Sequence, residues 1–328
     1  MKKILIVAAK KGEGFAPFVR EQRDALLHAG VDVVDCAHTA HGIVNYMKWV
    51  PKLRKAINKE TKPNVVHAHF GLTGLMAGLA AIGTGVPVVV TYHGCDINDR
   101  KLLPFSRMAM RLAAWNIFVS KRQMINAYGS EERAAKAKKA CIMPCGINIS
   151  QFDEKNVDGA WFEAKFGMGD KVLFAGSFES YVKNPELAKR AIEELRLKQS
   201  FESSRDKKNE DIVLLELKGY TREEVVTLMY KCKALLLTSI REGSPQVVKE
   251  ALACGCPIVS VDVGDVAERV NGLEGCYVVK SRDPKDIAGA LEKAIAFGRT
   301  NGRERLLADG LDNEQIAQRL IEIYKQVQ

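Results

Sequence analysis

Long hydrophobic runs are what this sequence lacks most plainly. None of its 328 residues belongs to an apolar run near the length of about 18 that a membrane-spanning helix needs. The opening segment MKKILIVAAKKGEG has an apolar core running only from Ile4 to Ala9. That core is too short for the hydrophobic region of a signal peptide and predicts a first β-strand instead. We therefore expect a cytoplasmic protein.

The sequence also lacks a complete glycine-rich motif of the kinds that bind nucleotides. The loop after the first predicted strand carries Gly12 and Gly14, but Pro17 stands where a G-x-G-x-x-G motif requires its third glycine. No Gly-Lys-Ser/Thr phosphate loop occurs either. Gly14 remains a candidate for close approach of the backbone to a ligand, and the alternative is an ordinary flexible turn.

The sequence has little that indicates a metal or a disulfide framework. Eight cysteines in a long chain favour reduced thiols, and the C-x3-C and C-x-C pairs have no matching histidine cluster that would indicate zinc. For His67 and His69 the prediction is that they point to opposite faces of a strand and so form no metal pair. We expect no metal and no cofactor.

The net charge of +9 is concentrated in the first half. Residues 1–150 hold 22 of the 49 Lys and Arg but only 10 of the 40 Asp and Glu. This excess predicts an anionic partner for the first half, with a membrane surface, an acidic glycan and a nucleic acid as the alternatives. No recognition helix or aromatic and basic strand face supports nucleic acid, so we expect none.

Apolar strand-like runs alternate with helical patterns along the whole chain, which predicts two successive parallel sheets covered by helices. The runs are residues 3–9, 31–37, 64–70, 86–94, 115–120 and 139–144 in the first half, and 171–178, 211–219, 233–239, 257–263 and 275–281 in the second. The fold class is therefore α/β, with two doubly wound Rossmann-like domains. We expect an N-terminal domain at 1–148, a second domain at 149–310 and a last helix at 311–328. Residues 144–156 are the predicted linker, and residues 197–211 a predicted exposed loop.

The segment IREGSPQVVKEALACGCPIVSVDVGDV, residues 240–266, is the most informative. It follows a buried strand, and Ser244 and Pro245 have the residue types of an N-cap and a first helical position. Glu242 then lies in the loop before the helix, and Glu250 lies on the helix about 9 Å beyond its start. A helix N-terminus between two carboxylates suits a nucleotide sugar, with phosphates at the amides and sugar hydroxyls at the acids. The alternative is that both glutamates are ordinary solvated residues.

Other polar residues follow predicted strands, where ligands of parallel sheets bind. His93 follows the strand VPVVVTY and is either a ligand for a substrate hydroxyl or a hydrogen-bonded core histidine. Ser177 follows the first strand of the second domain. Lys183 precedes a predicted helix start and is either a phosphate clamp or one more surface lysine.

Taken together, these segments resemble the retaining nucleotide-sugar glycosyltransferases of family 4, also called group 1, which have the GT-B fold. The resemblance covers nearly the whole chain. It is carried by EGSPQVVKEALACGCPIVSVDVGDVAE, VPVVVTYHGCDI, PCGINISQF, GEGFAPFVREQ, LKGYTREEVVTLMYKCKALLLTS and GSFESYVKNPELAKRA. In general character the chain resembles bacterial enzymes that build cell-envelope polysaccharides. The resemblance implies two facing Rossmann-like domains and a C-terminal helix that crosses back to the first.

The resemblance also implies roles for individual residues. Glu242, His93 and Lys183 are the implied catalytic residues: Glu242 binds the donor sugar and stabilises the transition state, His93 contacts a sugar hydroxyl, and Lys183 holds the diphosphate. The implied donor-binding set is Gly14, Ser177, Lys183, Lys218, Gly219, Tyr220, Glu242, Gly243, Ser244, Pro245, Gln246, Val247, Val248 and Glu250.

The implied chemistry is metal-independent transfer of a hexose from a UDP- or GDP-sugar, with retention, to a glycan or polyprenyl-linked acceptor. One departure from the family pattern is Ser177, which stands where many members carry a phosphate-binding arginine. Either Lys183 and a backbone amide suffice, or Arg241 supplies the charge, or the activation of the leaving group is weaker.

The acceptor side is less readable. A basic segment at 46–62, with Trp49, has the composition of a helix that rests on anionic lipid, which would place the protein on the inner face of the plasma membrane. The alternative is a core-packing helix with a solvated basic face. Two other functions remain open: a GT-B sugar-nucleotide epimerase, and a non-catalytic glycosyltransferase-like subunit.

Overall fold

The computed structural model describes residues 3–202 and 212–328. Its contacts divide the chain into two compact units. Unit 1 comprises residues 1–147 and 310–328, and unit 2 comprises residues 148–309. The boundaries between them lie within one residue of those expected at 148 and 310.

Unit 1 contains a six-stranded parallel sheet in the order β2-β1-β3-β4-β5-β6. The strands are β1 Lys3–Ala9, β2 Asp32–His38, β3 Val65–His69, β4 Val88–Tyr92, β5 Trp115–Phe118 and β6 Ala140–Ile142. The central strands read as continuous apolar runs because helices cover both of their faces. Val7, Val66 and Tyr92 are fully buried in this core.

The helices of unit 1 are α1 Pro17–His28, α2 Gly42–Lys55, α3 Gly71–Ala81, α4 Cys95–Asn98, α5 Leu103–Leu112, α6 Lys121–Tyr128 and α7 Glu131–Ala135. A π-helical turn, Ala56–Thr61, continues α2. The C-terminal helix, Asn313–Val327, also belongs to unit 1, where it packs against α1. It buries Ile316, Leu320, Ile323 and Tyr324, the apolar face visible in the sequence.

Unit 2 contains a five-stranded parallel sheet in the order β11-β10-β9-β7-β8. The strands are β7 Lys171–Phe174, β8 Val213–Glu216, β9 Ala234–Leu237, β10 Ile258–Val261 and β11 Tyr277–Val279. The helices of unit 2 are α8 Gly159–Phe166, α9 Pro185–Glu202, α10 Arg222–Lys231, α11 Gln246–Ala253, α12 Val266–Val270, α13 Pro284–Phe297 and α14 Gly302–Ala308. The C-terminal helix of unit 1, Asn313–Val327, is α15.

The predicted fold class, two doubly wound parallel sheets, is therefore confirmed. The predicted loop at 197–211 is wrong in its first part, because α9 continues to Glu202; the rest of it lies outside the described residues. Within the described ranges, no helix is long and apolar enough to cross a membrane.

Candidate functional site

The sheet topology of unit 2 indicates where a ligand would bind. The chain runs from β7 outward to β8 and then returns to the other side of β7 as β9. Crevices for ligands in such sheets lie outside the carboxyl ends of the strands at this change of direction. Lys183 follows β7 and Glu242 follows β9, so the topology brings these two predicted residues to the same place.

Lys183 and Glu242 form an ion pair there. The Lys183 Nζ lies 2.6 Å from Glu242 Oε1, and the Ser239 hydroxyl donates to the same oxygen at 2.8 Å. Both charged side chains are largely withdrawn from solvent, with 27% and 16% of their surfaces exposed. Gly176 makes room for the pair, since a Cβ at this position would lie 2.7 Å from the Lys183 side chain.

The backbone around the pair is tied together by further hydrogen bonds. The Ile240 amide donates to the Val182 carbonyl at 2.8 Å, and the Thr238 hydroxyl lies within hydrogen-bonding distance of the carbonyls of Lys183 and Asn184. Asn184 has a left-handed backbone, with φ of 54°, which asparagine adopts more readily than most residues. The two loops are therefore held as one unit, and the ion pair is preorganised.

Helix α11 begins one residue later than the sequence predicts. Pro245 is its N-cap, and no side chain caps the helix start. The prediction of Ser244 as the N-cap is wrong because the Ser244 hydroxyl donates instead to Asp265 Oδ2 at 2.8 Å. Asp265 is buried, which raises the pKa of its carboxyl, and Arg269 pairs with it at 3.3 Å.

The amides expected to hold phosphate at this helix are not equivalent. Pro245 has no N–H, and the Val248 amide donates to the Pro245 carbonyl at 3.2 Å. Gly243 is buried beneath the loop after β10, where a Cβ on Gly264 would lie 2.8 Å from its carbonyl oxygen. The amides of Gln246 and Val247 are the ones in the first turn of the helix, where the positive end of its dipole lies.

The second glutamate of the segment has a partner that sequence reasoning missed. Arg222 of α10 lies 2.5 Å from Glu250 Oε1, and its guanidinium carbon lies 4.9 Å from the centre of the Phe152 ring. Only 12% of the Glu250 side chain is exposed. Glu250 is therefore a held carboxylate and not a solvated surface residue. The sequence around Arg222 does not indicate that this residue pairs with Glu250.

The remaining predicted residues of unit 2 lie in the loops after β7 and β8. The Ser177 hydroxyl accepts from the Glu179 amide at 3.2 Å. Lys218 pairs with Glu179 at 2.7 Å, and this hydrogen bond raises the pKa of Lys218. Gly219 has a φ of 77°, and Tyr220 packs edge-on against Trp161. Arg241, the other predicted source of positive charge, is exposed and has no ion pair within residues 3–202 and 212–328.

Unit 1 has its own cluster at the carboxyl ends of β3 and β4. His69 Nδ1 lies 2.9 Å from His93 Nε2, and the Cys145 sulfur lies 3.6 Å from His93 Nδ1. The rings of Phe18 and Phe70 lie 4.7 and 4.6 Å from the ring of His93. His93 is thus half-buried among aromatic rings, and Phe18 and Phe70 are additional candidate residues of the site in unit 1.

Phe70 has an unusual backbone, with φ of 72° and ψ of 150°. Only glycine visits this region readily, so the conformation costs on the order of 1–3 kcal/mol and accumulates at functional positions. No pattern in the sequence predicts this backbone conformation of Phe70.

The prediction that His67 and His69 point to opposite faces of β3 is wrong. Residues two apart on a strand share a face, and these rings stack with centres 4.6 Å apart. His67 bonds to the Tyr324 hydroxyl at 2.6 Å and to the Thr91 hydroxyl at 2.8 Å. Burial lowers the pKa of both histidines, that of His69 to about 3. Among the described residues, no group of three or more His, Cys, Asp or Glu could hold a metal ion.

The glycine loop after β1 and the buried Asp96 complete this edge of unit 1. Lys11 and Gly14 form an isolated bridge, and a Cβ on Gly14 would meet no atom. Asp96 accepts from the amides of Gly71, His93 and Gly94, which fixes the loop that carries His93. Burial raises the pKa of Asp96 to about 6.

Both units match models of known protein families. Residues 7–151 match the family described as Glycosyltransferase Family 4, and residues 169–297 match Glycosyl transferases group 1. The chain belongs to the family 4 and group 1 glycosyltransferases. The predicted membership of this family is therefore confirmed.

Curated relatives of this glycosyltransferase chain are identical to it at about a quarter of the aligned residues. The protein named teichuronic acid biosynthesis glycosyltransferase TuaC of Bacillus subtilis is 26% identical over an alignment of 275 residues, and the alignment covers 75% of this chain and 67% of TuaC. A D-inositol 3-phosphate glycosyltransferase of Acidothermus cellulolyticus is 24% identical over an alignment of 278 residues, which covers 72% of this chain and 60% of that protein. The chain spans between 60% and 67% of the length of these relatives.

Solved structures of the same fold are more distant in sequence. Sucrose-phosphate synthase from Thermosynechococcus elongatus has a TM-score of 0.76 and 18% identity, with 100% of this chain and 99% of that chain covered. HepE of Anabaena, in complex with UDP-glucose, has a TM-score of 0.70 and 15% identity, with 99% and 100% covered. These similarities show the fold of the glycosyltransferase chain.

Proposed function

We propose that this chain transfers a hexose from a nucleotide diphosphate sugar, a UDP- or GDP-sugar, to a glycan or lipid-linked acceptor. The observation that carries the proposal is the Lys183–Glu242 ion pair at the β7/β9 change of direction, beside the uncapped start of α11. It places a cation, a helix N-terminus and a carboxylate at one strand edge, which are the groups that a diphosphate and a sugar require.

In the proposed reaction, the acceptor oxygen attacks the anomeric carbon as the bond from that carbon to the diphosphate oxygen breaks. The hydroxyl proton passes to the departing phosphate, on the same face, so the configuration is retained. Lys183 and the first turn of α11 stabilise the negative charge that develops on the leaving group. Glu242 holds sugar hydroxyls and stabilises positive charge at the anomeric carbon.

Glu250 and Arg222 provide the proposed ribose end of the donor site. The arginine holds one oxygen of the carboxylate at 2.5 Å, and vicinal hydroxyls are the ligands that we propose for this carboxylate. The structures of HepE in complex with UDP and with UDP-glucose support a nucleotide-sugar donor for this chain. No step of the proposal uses a metal or a cofactor.

The place of the reaction in the cell is also part of the proposal. The name of TuaC, which refers to teichuronic acid biosynthesis, supports a role in the synthesis of a polysaccharide, and the proposed location is the cytoplasm. For contact with an anionic membrane, Trp49 is not the anchor, since it packs against the core of unit 1. Val44 and Met47, which are 64% and 36% exposed on α2, are the apolar residues that would touch lipid beside Lys48.

A thermal-shift screen with UDP, GDP, ADP and their sugars tests the proposal. A ligand present at 100 times its dissociation constant adds about 2.7 kcal/mol to the free energy of unfolding, so a true donor gives a clear shift. Release of nucleotide on addition of acceptor then separates transfer from epimerisation, which needs no acceptor. A protein that binds and hydrolyses none of these compounds would be the non-catalytic subunit instead.

A further inference from the structure

Three arginines surround a pocket on unit 1 that has no part in the proposed transfer. The pocket has a volume of about 350 Å³ and is lined by Arg107, Arg111 and Arg133 together with Met110, Ala127 and Tyr128. It lies where α5 meets the end of α6 and the start of α7. No carboxylate lines it, and it faces solvent.

The positive charge of this pocket is not neutralised by the protein. Within the described ranges, no Asp or Glu forms an ion pair with any of the three arginines. The two acidic residues at the start of α7 are engaged elsewhere: Glu131 pairs with Lys121 at 2.7 Å and Glu132 pairs with Lys136. Arg107 and Arg111 are one turn apart on α5, and like charges at this spacing repel each other.

One of the guanidinium groups is held in place. Arg107 Nε donates to the Ala127 carbonyl at 2.9 Å, and its second terminal nitrogen donates to the Asn126 carbonyl at 3.4 Å, at the end of α6. A guanidinium has five N–H donors, so three remain for a ligand. Gly129, which has a φ of 86°, lies between the guanidinium groups of Arg107 and Arg133. A Cβ added to Gly129 would lie 3.6 Å from the Arg107 side chain and 4.0 Å from that of Arg133.

We propose that Arg107, Arg111 and Arg133 form a binding pocket for a phosphomonoester or diphosphate group. Arginine suits this ligand because its planar fork of donors matches two phosphate oxygens at once. The phosphate relieves the mutual repulsion of the three cations. Its source is either a soluble phosphate compound or the headgroup of a lipid, and the two are distinguished by experiment.

The test compares two double variants of the full chain that carry the same change in net charge. Arg111→Gln with Arg133→Gln removes two cations from the pocket and leaves Arg107, with its structural hydrogen bonds, in place. Lys138→Gln with Lys139→Gln removes two exposed lysines that follow α7 in the same unit. Pyrophosphate binding is measured by isothermal titration calorimetry at low salt. Sedimentation is measured with phosphatidylcholine vesicles with and without phosphatidic acid.

We expect the arginine variant to lose about tenfold or more in affinity for pyrophosphate, or for phosphatidic acid vesicles if the source is a lipid, because charge-assisted hydrogen bonds are lost. The lysine variant should change by less than about twofold, as for exposed charges that touch no ligand. A variant with Lys at both arginine positions, which keeps the charge but loses the fork, should lie between.

Equal losses in both double variants would show that net charge alone attracts the anion, and this overturns the proposal. Unchanged binding of both probes in the arginine variant overturns it as well. Pyrophosphate that binds at the proposed donor site binds to unit 2, which none of these variants changes. That contribution is therefore the same in all variants. A failure of the arginine pocket is therefore distinct from a failure of the donor site.

Discussion

Replacement of Glu242 by Gln is the sharpest test of the proposed donor site. Glutamine keeps the shape of the side chain and an oxygen that can accept from Ser239 and Lys183, but it removes the negative charge. The gross attraction between Lys183 and Glu242 at 2.6 Å is on the order of 6 kcal/mol at an effective dielectric constant of about 20. Desolvation of both groups offsets most of it, so we expect a net coupling of about 1–2 kcal/mol.

The coupling is measured with a double-mutant cycle of Lys183→Gln, Glu242→Gln and the double variant, by urea unfolding. Activity is measured as nucleotide release from the donor found in the thermal-shift screen. If Glu242 stabilises the transition state, its replacement lowers kcat by on the order of 100-fold to 1000-fold, while the loss of stability stays small. The large effect on rate therefore separates a catalytic role from a structural one.

Glu292→Gln is the matched control. Glu292 of α13 also pairs with a lysine in the same unit, Lys198 of α9, and one third of the Glu292 side chain is exposed. Lys198 lies near the opposite end of α9 from Lys183. The control should leave kcat unchanged. A Glu242→Gln variant whose kcat stayed within about fivefold of wild type would refute the catalytic role, and a coupling below about 0.3 kcal/mol would refute the stabilising one.

Three further predictions follow from other contacts. Glu250→Gln should raise KM for the donor about tenfold with little change in kcat, whereas Glu223→Gln on the neighbouring helix should change neither. Phe70→Gly should be more stable than Phe70→Ala by about 1 kcal/mol in urea unfolding, because glycine accepts the strained backbone at this position. The pKa of Asp96 is raised from 3.8 to about 6 in the folded state, so the unfolded chain loses this proton first as the pH rises. The free energy of unfolding should therefore fall by about 3 kcal/mol between about pH 4 and a pH above 6. The Asp96 contribution is measured as the difference in the free energy of unfolding between wild type and Asp96→Asn, by urea unfolding across this pH range.

Each of these predictions has a contrary outcome. An unchanged KM in Glu250→Gln would make its pairing with Arg222 purely structural. Equal stability of the two Phe70 variants would mean that the backbone carries no strain. A difference between wild type and Asp96→Asn that stayed constant with pH would mean that the buried carboxyl titrates at its ordinary pKa.

The fold was predictable because a buried parallel strand needs an apolar side chain at every position. The apolar runs ILIVAA and ALLL satisfy this without any information from the rest of the chain. Every predicted strand is present, with ends shifted by a few residues. Local patterns sufficed because each strand and helix is determined mainly by its own sequence.

The site was predictable only where its residues lie in one segment. The positions of Glu242 and Glu250 relative to α11 follow from helix geometry. The partners that hold them do not: Arg222 is 28 residues from Glu250, and Asp265 is 21 residues from Ser244. Ser244 has the residue type of an N-cap, and only the tertiary contact decides that it bonds to a buried carboxylate instead.

Ser177 gives the Lys183–Glu242 pair a wider significance. The resemblance implies an arginine at that position in many family members, and in the proposed donor site such an arginine is a cation whose charge is not shared with Glu242. In this chain Lys183 is already neutralised by Glu242 before any donor binds. If the proposed donor site is correct, a diphosphate draws the ammonium away from Glu242, and the same movement releases the carboxylate for the sugar. In the proposed function, Ser177 therefore couples phosphate binding to the availability of Glu242, so that neither end of the donor binds fully without the other.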